Sequence, residues 1–591
     1  MHISRLIVRN YRNLEYVDVG LSAGLNVAVG DNGSGKSNLV KAIRLLLDPT
    51  ISSQGRDLGP EDFFEGCGGP NRASHVFVAA EFSYDPANEQ ERNLAINLLC
   101  GEDAVPRLVY RFRPSPSAIF QIQNEGRSPN DLKITDYISE RVVGAQVDYS
   151  ALTYDDELRD EVRDSKLRQY HVIELPALRD VEAAMRSQRT SPLYRLLQTL
   201  ELDERTEAEI IAAMRNANKL IAETTSFGDL AKAITDSYDA LVGNVNRLNV
   251  SLGFSEPTLS QIMRSLSMLI TDYAVSRPYG LDRNGLGFNN VLFAAMQIEY
   301  FRRQLDEKRA GRLLLIEEPE AHLHPQAQEA FLQTLREQPF QIIVTTHSPN
   351  VTSQAGASSI VSFSRTEGTP RVANVVTAAG LSAGDIDDLN RYLDATKSSL
   401  FFARRVMLVE GSSEVMLMPA FARALGVDLA KEGIAIIAVN GVHFGVFEKL
   451  FRTGSLANRC AIVGDGDEFR DVDGSPIASY DDGATVATVE HGPARRFVTR
   501  TTLEYAICQP YSLAALTQVA DQFGASRAVR CYQAASESPT TDAMASAQLQ
   551  TFQLALRFGK ARFAQAVARL APPPPRYIAE AIHWLLDGNA A

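Results

Sequence analysis

Val29-Gly30-Asp31-Asn32-Gly33-Ser34-Gly35-Lys36-Ser37-Asn38 follows the apolar run Leu25-Asn26-Val27-Ala28 and precedes an amphipathic stretch over residues 39–47. A strand, a glycine-rich turn and a helix in that order predict a phosphate site, because residues 30–37 match G-x-x-x-x-G-K-[ST] in full. The glycines let successive backbone N–H groups wrap phosphate oxygens, Lys36 supplies charge to the outer phosphates, and the Ser37 hydroxyl is placed to ligate Mg²⁺. The bland alternative is a glycine turn beside a surface lysine, and the flanking strand and helix argue against it.

Far downstream, Leu313-Leu314-Leu315-Ile316-Glu317-Glu318-Pro319 is an apolar strand ending in paired carboxylates. Adjacent side chains on a strand face opposite ways, so Glu317 is expected to hold the metal while Glu318 polarises water as a base. Val344-Thr345-Thr346-His347-Ser348 puts a histidine at the end of another strand. His347 reads either as a γ-phosphate sensor or, more commonly for a lone histidine, as a structural one. Helical patterns alternating with buried strands (a helix over 289–305, strands over 313–316 and 341–344, a helix after Pro325) predict a parallel sheet with covering helices.

At 591 residues, the chain exceeds what one hydrophobic core serves and predicts at least two domains. Its 45% hydrophobic and 22% charged residues are those of an ordinary globular protein, and no apolar run approaches the roughly 20 residues of a membrane helix. Met1-His2-Ile3-Ser4-Arg5 reads as the start of a strand rather than a signal peptide, so a cytoplasmic location is expected. Five cysteines (Cys67, Cys100, Cys460, Cys508, Cys531) show neither metal-pair spacing nor an even disulfide count, so no zinc site is expected. The net charge of −13 excludes coating of nucleic acid by bulk electrostatics and demands a local basic patch for any such contact. Strands are expected over 76–82, 107–112 and 171–175, a charged helix over 155–168, and a helical insertion over 193–248 that suits an arm or dimer surface.

A second α/β pattern begins near Arg404, with strands over 406–409, 434–439 and 461–463. Val406-Met407-Leu408-Val409-Glu410 ends in a carboxylate, with Glu414 one helical turn on, and Ala461-Ile462-Val463-Gly464-Asp465-Gly466-Asp467 ends in two more. Ligands of open α/β sheets bind at the strands' carboxyl edge. Four carboxylates meeting there would repel one another unless cations sit between them, and hard oxygen ligands imply Mg²⁺ or Mn²⁺. Gly441 suits a tight turn after its strand. Glu504, in Thr501-Thr502-Leu503-Glu504, reads equally as a further ligand or as a complement to a helix dipole. Lys560 reads as a stabiliser of phosphate charge or, more commonly, as a solvated helix lysine. Arg495, Arg496 and Arg500 read as a DNA approach or as a solvated basic loop.

The order of the glycine loop, "LLLIEEPEAHLHP" and "VTTHSP" resembles the ABC-type ATPases of the chromosome-maintenance and recombination group. That resemblance implies two ATP molecules sandwiched between two heads, each capped by the partner's signature loop. The candidate loop is Gly285-Leu286-Gly287-Phe288-Asn289-Asn290, without the family's usual serine, and Glu317 stands where the family more often has Asp. Candidate nucleotide contacts are Gly30, Asn32, Gly33, Gly35, Lys36, Ser37, Asn38, Gly287, Glu317, Glu318 and His347, with Ser37 and Glu317 on the metal. The Glu-Gly and Asp-x-Asp pair after successive strands resembles the Toprim fold of topoisomerases, primases and some nucleases.

The whole chain, with "LVEGSSE" and "GDGDE", resembles the overcoming-lysogenization-defect (OLD) nuclease family, which includes the nuclease subunit of the Gabija phage-defence system. The implied fold class is α/β: an ABC-type ATPase head with a helical insertion arm, then a Toprim domain and a helical C-terminal region. The expected divisions are 1–150 and 276–395 for the head, 151–275 for a dimerisation arm, 403–510 for the Toprim domain and 511–591 for a region completing it. The resemblance implies an ATP-gated, metal-dependent DNA endonuclease in anti-phage defence or DNA processing, working as a homodimer or larger. It leaves open a UvrD-like helicase partner. Glu410, Asp465 and Asp467 would hold one cation, with Glu414 and Glu504 near a second, and Lys560 beside them; a further Mg²⁺ would accompany ATP. The alternatives are an ATP-switched DNA clamp with an inert acidic site and a nuclease acting on RNA.

Overall fold

The computed structural model describes residues 1–591 except 50, 53, 100–104, 144–146, 149–152, 155–159, 162–166, 176–190, 243–247, 253–257, 272–277, 282–284, 304–308, 322, 367–368, 442–443, 453–455, 457, 468–492 and 588–591. The chain forms two compact units, Met1–Ala177 with Arg309–Glu320 and His324–Ala591, and Leu178–Lys308 with Ala321–Leu323.

The first unit contains three principal sheets. One is antiparallel, in the order Leu14–Gly20, His2–Tyr11, Val76–Ser83, Arg107–Pro114, Tyr137–Val143 and Asp160–Glu161. The second runs Tyr170–Leu175, Gly311–Glu317, Gln341–Thr346, Leu25–Gly30, Ile360–Thr366 and Thr369–Asn374, parallel except for its last pair. Between these two sheets the helix Lys36–Leu47 buries Leu39, Val40, Ile43 and Leu46, joining both into one core. The expected helix over 155–168 is corrected in part: Asp160–Glu161 is an edge strand paired with Val142 and Val143, and most of the remainder lies outside the described residues. Backbone ladder bonds at a sheet edge outweigh the helical spacing of the charges.

The third sheet is parallel throughout, ordered Ile434–Ala438, Arg405–Val409, Arg459–Asp465, Ala494–Thr499. Val406, Met407, Leu408 and Val409 are all 0% exposed, as expected of a strand covered on both faces. One hydrophobic cluster joins this sheet to the helices after residue 510, including Leu554, Phe563, Ile578 and Leu585. The chain's single tryptophan, Trp584 on Arg576–Asp587, sits 5.9 Å from the Phe497 ring, centroid to centroid. Trp584→Ala is expected to lower unfolding free energy by about 3–5 kcal/mol, checked by denaturant melts followed by far-UV circular dichroism.

The second unit is largely helical, with Pro192–Leu197, Glu204–Glu223, Thr225–Val242, Leu259–Ser265 and Leu286–Arg303. Leu220, Leu230 and Leu241 are 70%, 53% and 87% exposed on its two long helices. Among the described residues no helix is long and apolar enough to cross a membrane.

Candidate functional site

The register of the second sheet brings the distant phosphate-site motifs together. Gln341–Thr346 lies between the strand ending at Gly30 and the strand ending at Glu317, with Glu317 opposite Thr345 and Thr345 opposite Ala28. Gly30 has φ +153°, and a Cβ there would stand 2.3 Å from Phe363 O, so only glycine fits this turn. Lys36 is 4% exposed and its Nζ donates to Gly30 O (2.8 Å) and Asp31 O (2.9 Å), curling the loop around the ammonium. The Ser37 hydroxyl hydrogen-bonds Glu317, so the two expected metal ligands meet. Burial first, then the neighbouring Glu174, raises the Glu317 carboxyl.

His347 lies between Lys36 and Glu318, its Nδ1 3.4 Å from Lys36 Nζ and its Nε2 3.5 Å from Glu318 Oε1. Burial and the Lys36 charge lower its pKa, which favours neutral imidazole. Glu318 has φ +47°, a left-handed conformation that L-residues rarely hold outside functional turns. Asn32 N donates to the Asp31 side chain (2.7 Å), and Asn38 donates to Asn13 Oδ1 (2.7 Å).

Three contributors were not singled out from sequence. Asn13 donates to Gly33 O (2.9 Å) and tethers the loop. Glu320 accepts from His347 N (2.6 Å), and its place in "EEPE" was the available signal. Arg404, just before the third sheet's Arg405–Val409 strand, comes within 3.9 Å of Asp31. Gly287 belongs to the second unit, in the first turn of Leu286–Arg303; there Asn289 donates to Leu281 O and Asn290 to Ala321 O, both at 3.1 Å.

At the carboxyl edge of the third sheet, Val409 pairs with Val463, so Glu410 and Asp465 leave adjacent strands side by side. Glu410 Oε1 accepts from Asp465 N at 2.6 Å. Glu414 is buried, and its Oε2 accepts from Gly411 N (3.1 Å). Gly466 needs its missing side chain, since a Cβ would stand 2.6 Å from Thr499 O. Asp467 is exposed with φ +55°, and its amide donates to Thr501 O (3.1 Å). Glu504, 3% exposed, is 3.2 Å from Lys560 Nζ, so the helix lysine finds a carboxylate.

Burial, then Glu410 and Glu414, pushes Asp465 up to about 8. Burial, then Glu410, pushes Glu414 up to about 7, and Glu410 is raised by burial and Asp467. Burial alone would lower Lys560, but Glu504 raises it. Tyr577, on the last helix, is buried and its phenol raised first by burial and then by Asp465, Glu414, Glu410 and Glu504; no sequence signal marked it.

The basic-loop reading of Arg495 and Arg496 is corrected. Both lie on the strand Ala494–Thr499, where Arg496 pairs with the buried Glu448 and Arg495 stacks 5.6 Å over Phe497. Strand pairing with Arg459–Asp465 holds them, leaving Arg500 just past the strand end.

Crowded carboxyls shifted upward by burial and by one another, and a buried Glu504 Oε2 without a partner among the described residues, are what hard-oxygen cation ligands look like before the cation's charge is supplied. Among the described residues no group of three or more histidine, cysteine, aspartate or glutamate side chains stands close enough together to hold a metal ion as placed. The donors at this edge are carboxylate oxygens, the chemical type that hard divalent cations take.

Comparison with known proteins matches residues 1–123 and 187–352 to an AAA ATPase domain. Residues 401–467 match the TOPRIM domain of overcoming lysogenization defect protein-like proteins. The OLD nuclease of Thermus scotoductus is 27% identical over 457 residues, 74% of this chain and 77% of that protein. Endonuclease GajA of Bacillus cereus is 24% identical over 458 residues, 75% and 72% of the two chains. Among solved structures, the C-terminal region of the Burkholderia pseudomallei OLD protein covers 32% of this chain and 98% of its own at 27% identity and a TM-score of 0.26. The SMC head domain bound to the C-terminal domain of ScpA from Pyrococcus furiosus covers 63% and 95% at 16% identity and a TM-score of 0.33. The architecture is α/β, with an AAA ATPase domain match followed by a TOPRIM domain match.

Proposed function

Because the chain joins an AAA ATPase domain to an OLD-like TOPRIM domain and is homologous to the OLD nucleases and to GajA, we propose that it is a divalent-metal-dependent DNA endonuclease gated by ATP, acting in phage defence or DNA processing. The observation that carries this reading is the Glu410 to Asp465 hydrogen bond at the carboxyl edge of a parallel sheet, with Glu414, Glu504 and Lys560 in the same field. On this reading residues 1–150 and 276–395 form the ATPase head, 151–275 a homodimerisation arm supported by its exposed leucines, and 403–510 with 511–591 the nuclease.

Glu410, Asp465 and Asp467 would hold one cation, and Glu414 and Glu504 a second. Bound there, a cation pair supplies a water of lowered pKa and a charge that stabilises the leaving oxygen. Lys560, kept protonated by Glu504, would stabilise the scissile phosphate. This chemistry consumes no ATP. Lys36, Ser37 and Glu317 would hold ATP with its Mg²⁺, Glu318 would orient the hydrolytic water, and neutral His347 would hydrogen-bond the γ-phosphate. Arg404 offers a route from the phosphate loop to the strand Arg405–Val409, which leads into Glu410. The test is a nicking assay on plasmid, single-stranded DNA and RNA with metal and nucleotide varied independently. Binding of DNA without cleavage in Mg²⁺ or Mn²⁺ would favour an inert clamp, and cleavage of RNA alone a ribonuclease.

The raised carboxyls also set a pH dependence. Protons are bound more tightly by the folded, metal-free protein than by the unfolded chain, so this contribution to stability is present below the ordinary carboxyl range. It is lost as pH rises through about 7 for Glu414 and about 8 for Asp465. A cation competes with those protons, so its affinity rises with pH over the same window. Calorimetric titration of Mn²⁺ at pH 7 in buffers of different ionisation enthalpy is expected to show release of on the order of one proton. Absence of any buffer dependence would contradict the shifted carboxyls.

A further inference from the structure

Three buried oxygens in one short stretch have no hydrogen-bond partner among the described residues. Thr501 is 1% exposed and Thr502 3%, and Thr501 Oγ1, Thr502 Oγ1 and Glu504 Oε2 find no hydrogen-bond partner among the described residues. A buried polar group left unpaired is destabilising, so three within four residues call for a common cause. Thr502 is the N-cap of Leu503–Ile507, where a threonine normally accepts from a first-turn amide, yet its side chain makes no capping bond. The Leu503 amide donates instead to the Asp465 carboxylate. On the other side, Thr501 O accepts from Gly466 N (3.0 Å) and Asp467 N (3.1 Å). The segment is thus bonded on both sides to the Asp465 turn, while Lys560 occupies only the Oε1 atom of Glu504.

We propose that Thr501 and Thr502 are positioning residues whose hydroxyls hydrogen-bond the water shell of the divalent cation bound by Glu504 Oε2, holding it against Asp465. Hard cations such as Mg²⁺ keep several waters, and a hydroxyl both donates and accepts, so a hydrated cation satisfies all three oxygens at once. Water alone could satisfy the hydroxyls but would bring no positive charge to the crowded carboxyls of Glu410, Glu414 and Asp465. This inference rests on the metal-dependent reading above.

The test uses the full chain without nucleotide and Mn²⁺ as the probe, with free Mn²⁺ counted by electron paramagnetic resonance and melting followed in EDTA. Thr501→Val and Thr502→Val keep shape and remove the hydroxyl. Each is expected to weaken Mn²⁺ binding about 10-fold, at the lower end of the range for groups that orient metal ligands. In EDTA their melting temperatures are expected to stay level or rise, because an unpaired buried hydroxyl is gone, and Thr502→Ser is expected to bind as wild type. Wild-type Mn²⁺ affinity in both valine variants overturns the inference. So does a lower melting temperature of both in EDTA, which would reveal protein partners for the hydroxyls. A wild-type chain that binds no Mn²⁺, or an Asp465→Ala variant that binds it unchanged, instead removes the metal-dependent reading on which the inference stands.

Discussion

Glu410→Ala and Asp465→Ala are each expected to abolish the proposed DNA cleavage while leaving ATP affinity at the wild-type level. Glu410 Oε1 accepts from the Asp465 amide at 2.6 Å, and Asp465 accepts from the Leu503 amide, so on the proposed reading each carboxylate would both offer oxygens to a cation and orient its neighbour. Losing an orienting partner alone costs about 10–100-fold in metal affinity or activity, and losing the ligand itself should exceed that and leave no cleavage above background. The phosphate loop lies on a different sheet, which is why nucleotide binding is spared. Plasmid nicking and nucleotide titration on the same preparations check both halves. Cleavage at the wild-type rate in either variant would sink the nuclease assignment.

Lys36→Ala is expected to lose nucleotide affinity by about 10–100-fold, the equivalent of one hydrogen bond to a charged group, about 1.5–3 kcal/mol. Lys36 Nζ is held by Gly30 O and Asp31 O at the mouth of the helix, so its charge is aimed before any ligand arrives. Without nucleotide the variant should cleave as the wild type does, because the metal chemistry uses other residues. What disappears is the response to ATP. Normal ATP affinity in the variant, measured by calorimetry, would contradict the phosphate-loop reading.

Much of this was legible along the chain because the signals are local. Residues 30–37 carry a turn that needs glycines and a helix start that needs Lys36 and Ser37 in fixed order, and the apolar runs ending in Glu317, Glu410 and Asp465 mark strands by period alone. Residues whose role depends on a remote partner were harder to read. Lys560 reads as a solvated lysine until the helix Lys560–Leu570 packs beside Ser412–Ala424 and brings it to Glu504. Arg496 reads as part of a basic loop until strand pairing turns it toward Glu448. Asn13, Thr501, Thr502 and Tyr577 carry no motif at all.

The amino-acid order by itself determined two α/β patterns of strand and helix, a phosphate loop and a set of acids at strand ends, since backbone propensity and side-chain periodicity act over a few residues. Only the tertiary structure decided which acids are neighbours. Parallel strands need crossovers, so Glu410 and Asp465, 55 positions apart, touch only because Val409 and Val463 fall in register. The upward shift of the Asp465 and Glu414 carboxyls comes from burial and mutual repulsion, which arise only once the sheet, its turn and the C-terminal helices have closed around them.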